Sequence, residues 1–83
     1  MTASRQLHIK FFAALREQAG VSELDVTTGA RTPAELYAEL TATRGLTLPA
    51  SLLRVAINDR YAAMDAALQP GDRVVFIPPV AGG

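Results

Sequence analysis

The sequence predicts a small α+β domain, one main helix laid on a mixed sheet of about five strands, and three stretches carry that expectation. In RQLHIKFF, Leu7, Ile9 and Phe11 alternate with His8 and Lys10, the period-2 pattern of a strand with one face in a core. In TPAELYAELTATRG, a capping threonine, a proline and a closing glycine bracket an amphipathic run, as the two ends of a helix demand. In QPGDRVVFIPP, a turn and a proline pair bound the mostly apolar RVVFI, which reads as a strand inside a sheet.

Taken in order, the first strand leaves Phe12 on the face opposite Leu7, Ile9 and Phe11. AALREQAG follows as a short helical turn, with Leu15 and Ala19 sharing a side and Gly20 placed to end it. VSELDVTT alternates again, Leu24 and Val26 against Glu23 and Asp25, and reads as a second strand antiparallel to the first. The main helix is expected from Pro33 to Arg44. Thr32 is its N-cap, Pro33 takes the first helical position and Glu35 completes a capping box. Leu36 and Leu40 form its buried stripe, and Arg44 and Gly45 suit its C-terminal end.

LTLPASL is a crossing loop. LRVAIND gives a third strand with Leu53, Val55 and Ile57 on one face, and Asn58-Asp59 supplies the positive dihedrals of a tight turn. A short return strand follows at Tyr61-Ala62. In QPGD, Pro70 pre-sets one turn angle and Gly71 supplies the positive one. RVVFI is expected to be buried on both faces, and Pro78 and Pro79 end it by withholding ladder donors. Strand, strand, helix, strand, short strand, strand is the order of a β-grasp, with a folded domain over residues 1–77 and a tail over 78–83.

Composition narrows the function classes. At 83 residues there is room for one small core. Eight basic residues balance eight acidic ones without segregation, so neither nucleic acid nor an anionic membrane surface is an expected partner. The longest apolar run, Val74 to Ala81, is broken by two prolines and falls far short of the roughly 20 residues that span a bilayer. The start, MTASRQLHIK, lacks the apolar core of a signal peptide, which favours the cytoplasm. With no cysteine and one histidine, disulfides, thiolate chemistry and a histidine metal site are not expected. His8 reads as a plain surface residue. Glu17, Glu35, Glu39 and Asp72 each have a structural reason at a helical turn, a cap, a helix face and a turn. The domain itself offers no active site and no bound cofactor.

The tail remains. Its six residues, extended, reach roughly 20 Å. Pro78 and Pro79 make a semi-rigid spacer and Gly82 and Gly83 a thin, permissive end that can enter a channel only wide enough for backbone. Its reactive group is the Gly83 carboxylate, a poor electrophile until activated as an acyl-adenylate. Nothing in the chain binds ATP, so a partner must supply that step. Beside the tail, alternation puts Phe12 and Ile77 on the face away from the core residues, a candidate docking patch. The plainer reading buries both partly under the Leu46 to Leu53 loop.

FFAALRE (Phe11 to Glu17), VAIN (Val55 to Asn58) and LQPGDRVVFIPPVAGG (Leu68 to Gly83) together resemble the small subunit of molybdopterin synthase, a sulfur carrier of ubiquitin-like β-grasp fold. The resemblance runs nearly end to end. It implies that an adenylyltransferase similar to ubiquitin-activating enzymes uses ATP to adenylate Gly83, and that sulfide from a persulfide donor displaces AMP. The resulting thiocarboxylate would attack cyclic pyranopterin monophosphate inside the large subunit, building the dithiolene that later holds molybdenum. It further implies that Pro78, Pro79, Val80, Ala81, Gly82 and Gly83 thread into the large subunit while Phe12 and Ile77 dock beside them, in a heterotetramer of two small and two large subunits. Ile77 stands where many members of the family carry a second aromatic. The rival expectations are a sulfur carrier for thiamine or tRNA thiolation, a protein modifier joined through Gly83, and a plain interaction module.

Overall fold

A computed structural model describes residues 4–79. The chain runs β1 (Arg5–Phe11), α1 (Ala13–Ala19), β2 (Glu23–Thr28), α2 (Pro33–Arg44), a 3-10 turn (Ala50–Leu52), β3 (Arg54–Ile57), β4 (Arg60–Ala62) and β5 (Arg73–Ile77). The strands form one mixed sheet in the order β2-β1-β5-β3-β4. β1 and β5 are parallel, and the other neighbours are antiparallel. The crossover between β1 and β5 carries the helices and the β3–β4 hairpin, the arrangement of a β-grasp.

Local chemistry sets the element ends. The α2 N-cap Thr32 accepts a hydrogen bond from the Glu35 backbone N–H at 3.2 Å, and Pro33 occupies the first turn. The expected capping box differs in one bond. The Glu35 carboxylate accepts from the Arg31 backbone N–H at 2.9 Å, one residue earlier than the cap itself, because the Arg31 guanidinium also holds it at 3.2 Å. Gly45 closes the helix in the left-handed region, its N–H donating to the Thr41 carbonyl. The Asn58-Asp59 turn adopts positive φ at both residues, which is what a two-residue hairpin between β3 and β4 requires.

The core lies on one face of the sheet. Leu7, Ile9 and Phe11 from β1, Val55 from β3, and Val74 and Phe76 from β5 meet Leu36, Tyr37 and Leu40 of α2 and Leu15 of α1. The Tyr37 and Phe76 rings pack at 5.3 Å between centroids with a 57° tilt, a geometry that adds to their area burial. The Tyr37 hydroxyl donates to the Leu48 carbonyl at 2.7 Å, so the loop after α2 is fastened to the core side. Burial of the phenol pushes its pKa up.

One expectation for β5 is corrected. RVVFI is apolar on both faces, yet only Val74 and Phe76 are buried, while Val75 and Ile77 remain half-buried. The reason is layer count: both helices pack on the same face, and no described element covers the other. Just past β5, Pro78 is buried and Pro79 exposed.

Candidate functional site

Cross-strand register arranges the open face of the sheet into three rows. Nearest the C-terminal end of β5, Phe12 lies one residue beyond the Phe11–Phe76 pair and so beside Ile77, which pairs with Arg54 on β3. The middle row runs Glu23, Lys10, Val75, Ala56, Tyr61 across all five strands. The far row contains Asp25, His8 and Arg73. Direct cross-strand partners project to the same face, so the apolar side chains of the first two rows form one patch.

That patch, with Lys10 and the polar side chains of His8, Glu23, Asp59 and Arg73, lines a shallow groove of about 410 Å³. Phe12 is 42% exposed and Tyr61 75%, high for large aromatic side chains. The Phe12 ring is braced from one side by the Lys10 ammonium, 5.1 Å from its centroid. Its backbone is the N-cap of α1 without a side-chain cap, and its carbonyl accepts from the Leu15 and Arg16 N–H groups. Phe12 and Ile77 are thus brought together as the alternation predicts. The plainer expectation, burial beneath residues 46–53, is not met, because Leu46 and Leu53 are buried in the core on the opposite face and Leu48 packs against it.

The far row is held by charge. His8 bridges two carboxylates, Nδ1 to Asp25 Oδ1 at 2.6 Å and Nε2 to Glu23 Oε1 at 2.8 Å. Those bonds, Asp25 first and Glu23 second, raise the imidazole pKa above its ordinary value. His8 is therefore a clamp between β1 and β2 rather than a plain surface residue, and the β1–β2 register is what the sequence alone does not display. Arg73 pairs with Asp59 at 2.6 Å. Asp72, buried in the turn before β5, accepts from Asn58 Nδ2 and from the Gln69 N–H, each at 2.8 Å. Glu39 accepts from the Thr28 hydroxyl at 2.7 Å. These carboxylates do structural work, and among the described residues no group of three His, Asp or Glu is placed to hold a metal ion.

Val80, Ala81, Gly82 and Gly83, predicted to enter a partner, lie outside the described residues. Pro78 and Pro79 are described: the first is buried against the chain's own fold and the second is exposed. Tyr61, Val75, Ala56 and Lys10 are the patch residues that sequence reasoning missed. Val75 carried a signal, since it shares parity with Ile77 in RVVFI.

A model described as the ThiS family matches residues 9–83. The chain belongs to the ThiS family. This ThiS-family chain is 37% identical over 81 residues to the molybdopterin synthase sulfur carrier subunit of Haemophilus influenzae, an alignment covering 93% of this chain and 99% of the relative. Among solved structures it is similar to a chain in the complex of subunits 1 and 2 of molybdopterin-converting factor from Helicobacter pylori. That similarity has a TM-score of 0.65 and 25% identity, over 94% of this chain and 99% of the other. It shares the fold of small archaeal modifier protein 1 from Methanosarcina acetivorans, with a TM-score of 0.78 and 21% identity over 98% and 99% of the two chains. For this ThiS-family chain the resemblance carried by FFAALRE and the GD-x-V-x-F-x-PPV-x-GG segment is borne out, as is the ubiquitin-like β-grasp.

Proposed function

We propose that this chain is the sulfur carrier subunit of a molybdopterin synthase, donating sulfur from its C-terminal glycine to cyclic pyranopterin monophosphate. The observation that supports it most is the match to the Haemophilus influenzae sulfur carrier subunit over 99% of that relative's length, with the family match extending through Gly83. The Gly83 carboxylate attacks the α-phosphate of ATP held by an adenylyltransferase, releasing pyrophosphate and leaving an acyl-adenylate. The terminal sulfur of a persulfide displaces AMP, and a second thiol reduces the acyl disulfide to free the thiocarboxylate. That sulfur is a better nucleophile than the oxygen it replaces, and two deliveries build the dithiolene.

In this reading the open-face patch docks against each partner in turn, and Pro79 to Gly83 thread into the partner's site with Gly82 and Gly83 in its narrowest part. The complex of subunits 1 and 2 in Helicobacter pylori supports a large-subunit partner. No described helix is long and apolar enough to cross a membrane, and the proposed site of action is the cytoplasm, where ATP is available. The likeness to the archaeal modifier protein concerns the fold and favours no second reading.

The test is the intact mass of the purified chain after incubation with ATP, the matched adenylyltransferase and a persulfide donor. The expected result is a gain equal to replacement of one oxygen by sulfur, abolished by deletion of Gly83. An unchanged mass with an active adenylyltransferase overturns the proposal.

A further inference from the structure

The charges on the open face divide by their distance from the tail. In the far row, His8 is held by Asp25 of its own row and by Glu23 of the middle row, and Arg73 by Asp59 of the β3–β4 turn, so both cations of that row are compensated. The two rows nearest the tail hold two cations, Lys10 and Arg54, and neither forms an ion pair among the described residues. The carboxylate directly opposite Lys10, on Glu23, turns instead to His8. Lys10 stacks on Phe12 in place of an anion, and Arg54 stands exposed beside Ile77.

Their placement is diagonal. Lys10 pairs with Val75 on one side of β5 and Arg54 with Ile77 on the other. With two strand spacings between them and an offset of two residues along the strand, their Cα atoms are roughly 12 Å apart. Phe12, Ile77, Val75 and Ala56 fill the ground between. An unpaired cation at the rim of an apolar patch contributes little to the fold, and its Coulomb attraction acts on whatever approaches.

We propose that Lys10 and Arg54 are specificity residues of the docking surface, selecting a large-subunit face that presents two carboxylates on either side of an apolar ridge. The inference rests on the sulfur-carrier reading for the identity of the partner. The ridge fills the groove between Phe12 and Tyr61; one carboxylate meets Lys10 in the groove wall, and the other meets Arg54, which lies outside that wall next to Ile77. The charges steer the encounter and fix its register, while the aromatic and aliphatic contacts hold the complex. A partner with lysine or arginine at either position is rejected by like charge.

The experiment measures association and dissociation rates with the cognate large subunit at low and high salt. It compares the wild-type chain, Lys10→Glu, Arg54→Glu, the double variant, and Arg31→Glu on the helical side as a control. Thermal unfolding of each variant establishes that it is folded. The double variant is expected to associate at least about tenfold more slowly at low salt, with the difference shrinking at high salt, while Arg31→Glu stays within about twofold of wild type. A double variant that associates at the wild-type rate while wild type binds normally overturns the assignment of Lys10 and Arg54 and leaves the carrier reading standing. A wild-type chain that binds no large subunit overturns both.

Discussion

Phe12 shows how one residue can be read from parity alone and then given a job by its surroundings. It follows a strand in which Leu7, Ile9 and Phe11 are buried, so it must point outward, and Lys10 braces it there. Phe12→Asp is expected to leave thermal stability near wild type, because an exposed ring is lost, and to weaken large-subunit binding by about tenfold or more, as loss of a central aromatic anchor does. Unfolding of that variant would place Phe12 in the core instead. His8 was less legible, since its two carboxylate partners lie 15 and 17 residues away and only the β1–β2 register brings them in. Its raised pKa has a definite sign. The clamp's contribution is fully present below the ordinary imidazole value of 6.5 and is lost as pH rises through the higher folded value. Lys10 and Arg73 on the neighbouring positions oppose the charged imidazole, while Glu23 and Asp25 favour it. The difference in denaturation midpoint between wild type and His8→Gln should therefore be larger near pH 6 than near pH 9; equal differences at both would remove the clamp.

At the scale of the element, α2 and β5 illustrate opposite degrees of legibility. The helix bounds were readable because every capping signal is local: Thr32, Pro33, Glu35, Arg44 and Gly45 sit within one continuous stretch. Thr32→Ala should cost about 1 kcal/mol, measured by urea denaturation. The depressed pKa of Glu35, due first to the Arg31 backbone bond and then to its side chain, gives a contribution present above the ordinary carboxylate value and lost as pH falls through the lower one. β5 was readable as a strand but not as a half-covered one. Apolar residues at consecutive positions fit burial on both faces equally well, and only the position of the helices decides between them. Tyr61 was hidden for a related reason: β4 has three residues, too few for an alternation to be counted. Phe76→Ala, on the covered face against Tyr37, should cost about 3–5 kcal/mol, whereas Val75→Ala, on the open face, should cost far less. Similar losses for the two would contradict the one-sided core.

For the molecule as a whole, one face of the sheet is buried beneath the helices and the other is left open, and the strand at the centre of both is β5. It lies at the centre, hydrogen-bonded to β1 on one side and β3 on the other, and the tail is its direct continuation. Because β1 and β5 are parallel, the chain enters the sheet at one end of this pair and leaves at the other. Tension drawn between the two ends of the chain therefore loads the β1–β5 ladder lengthwise, so that its bonds resist together instead of opening singly as an edge hairpin would. Under such a load the body of the domain is expected to hold its shape. Stretched by its termini in a single-molecule trap, it should rupture abruptly and at higher force than when pulled through β4, which can be peeled from the sheet's edge.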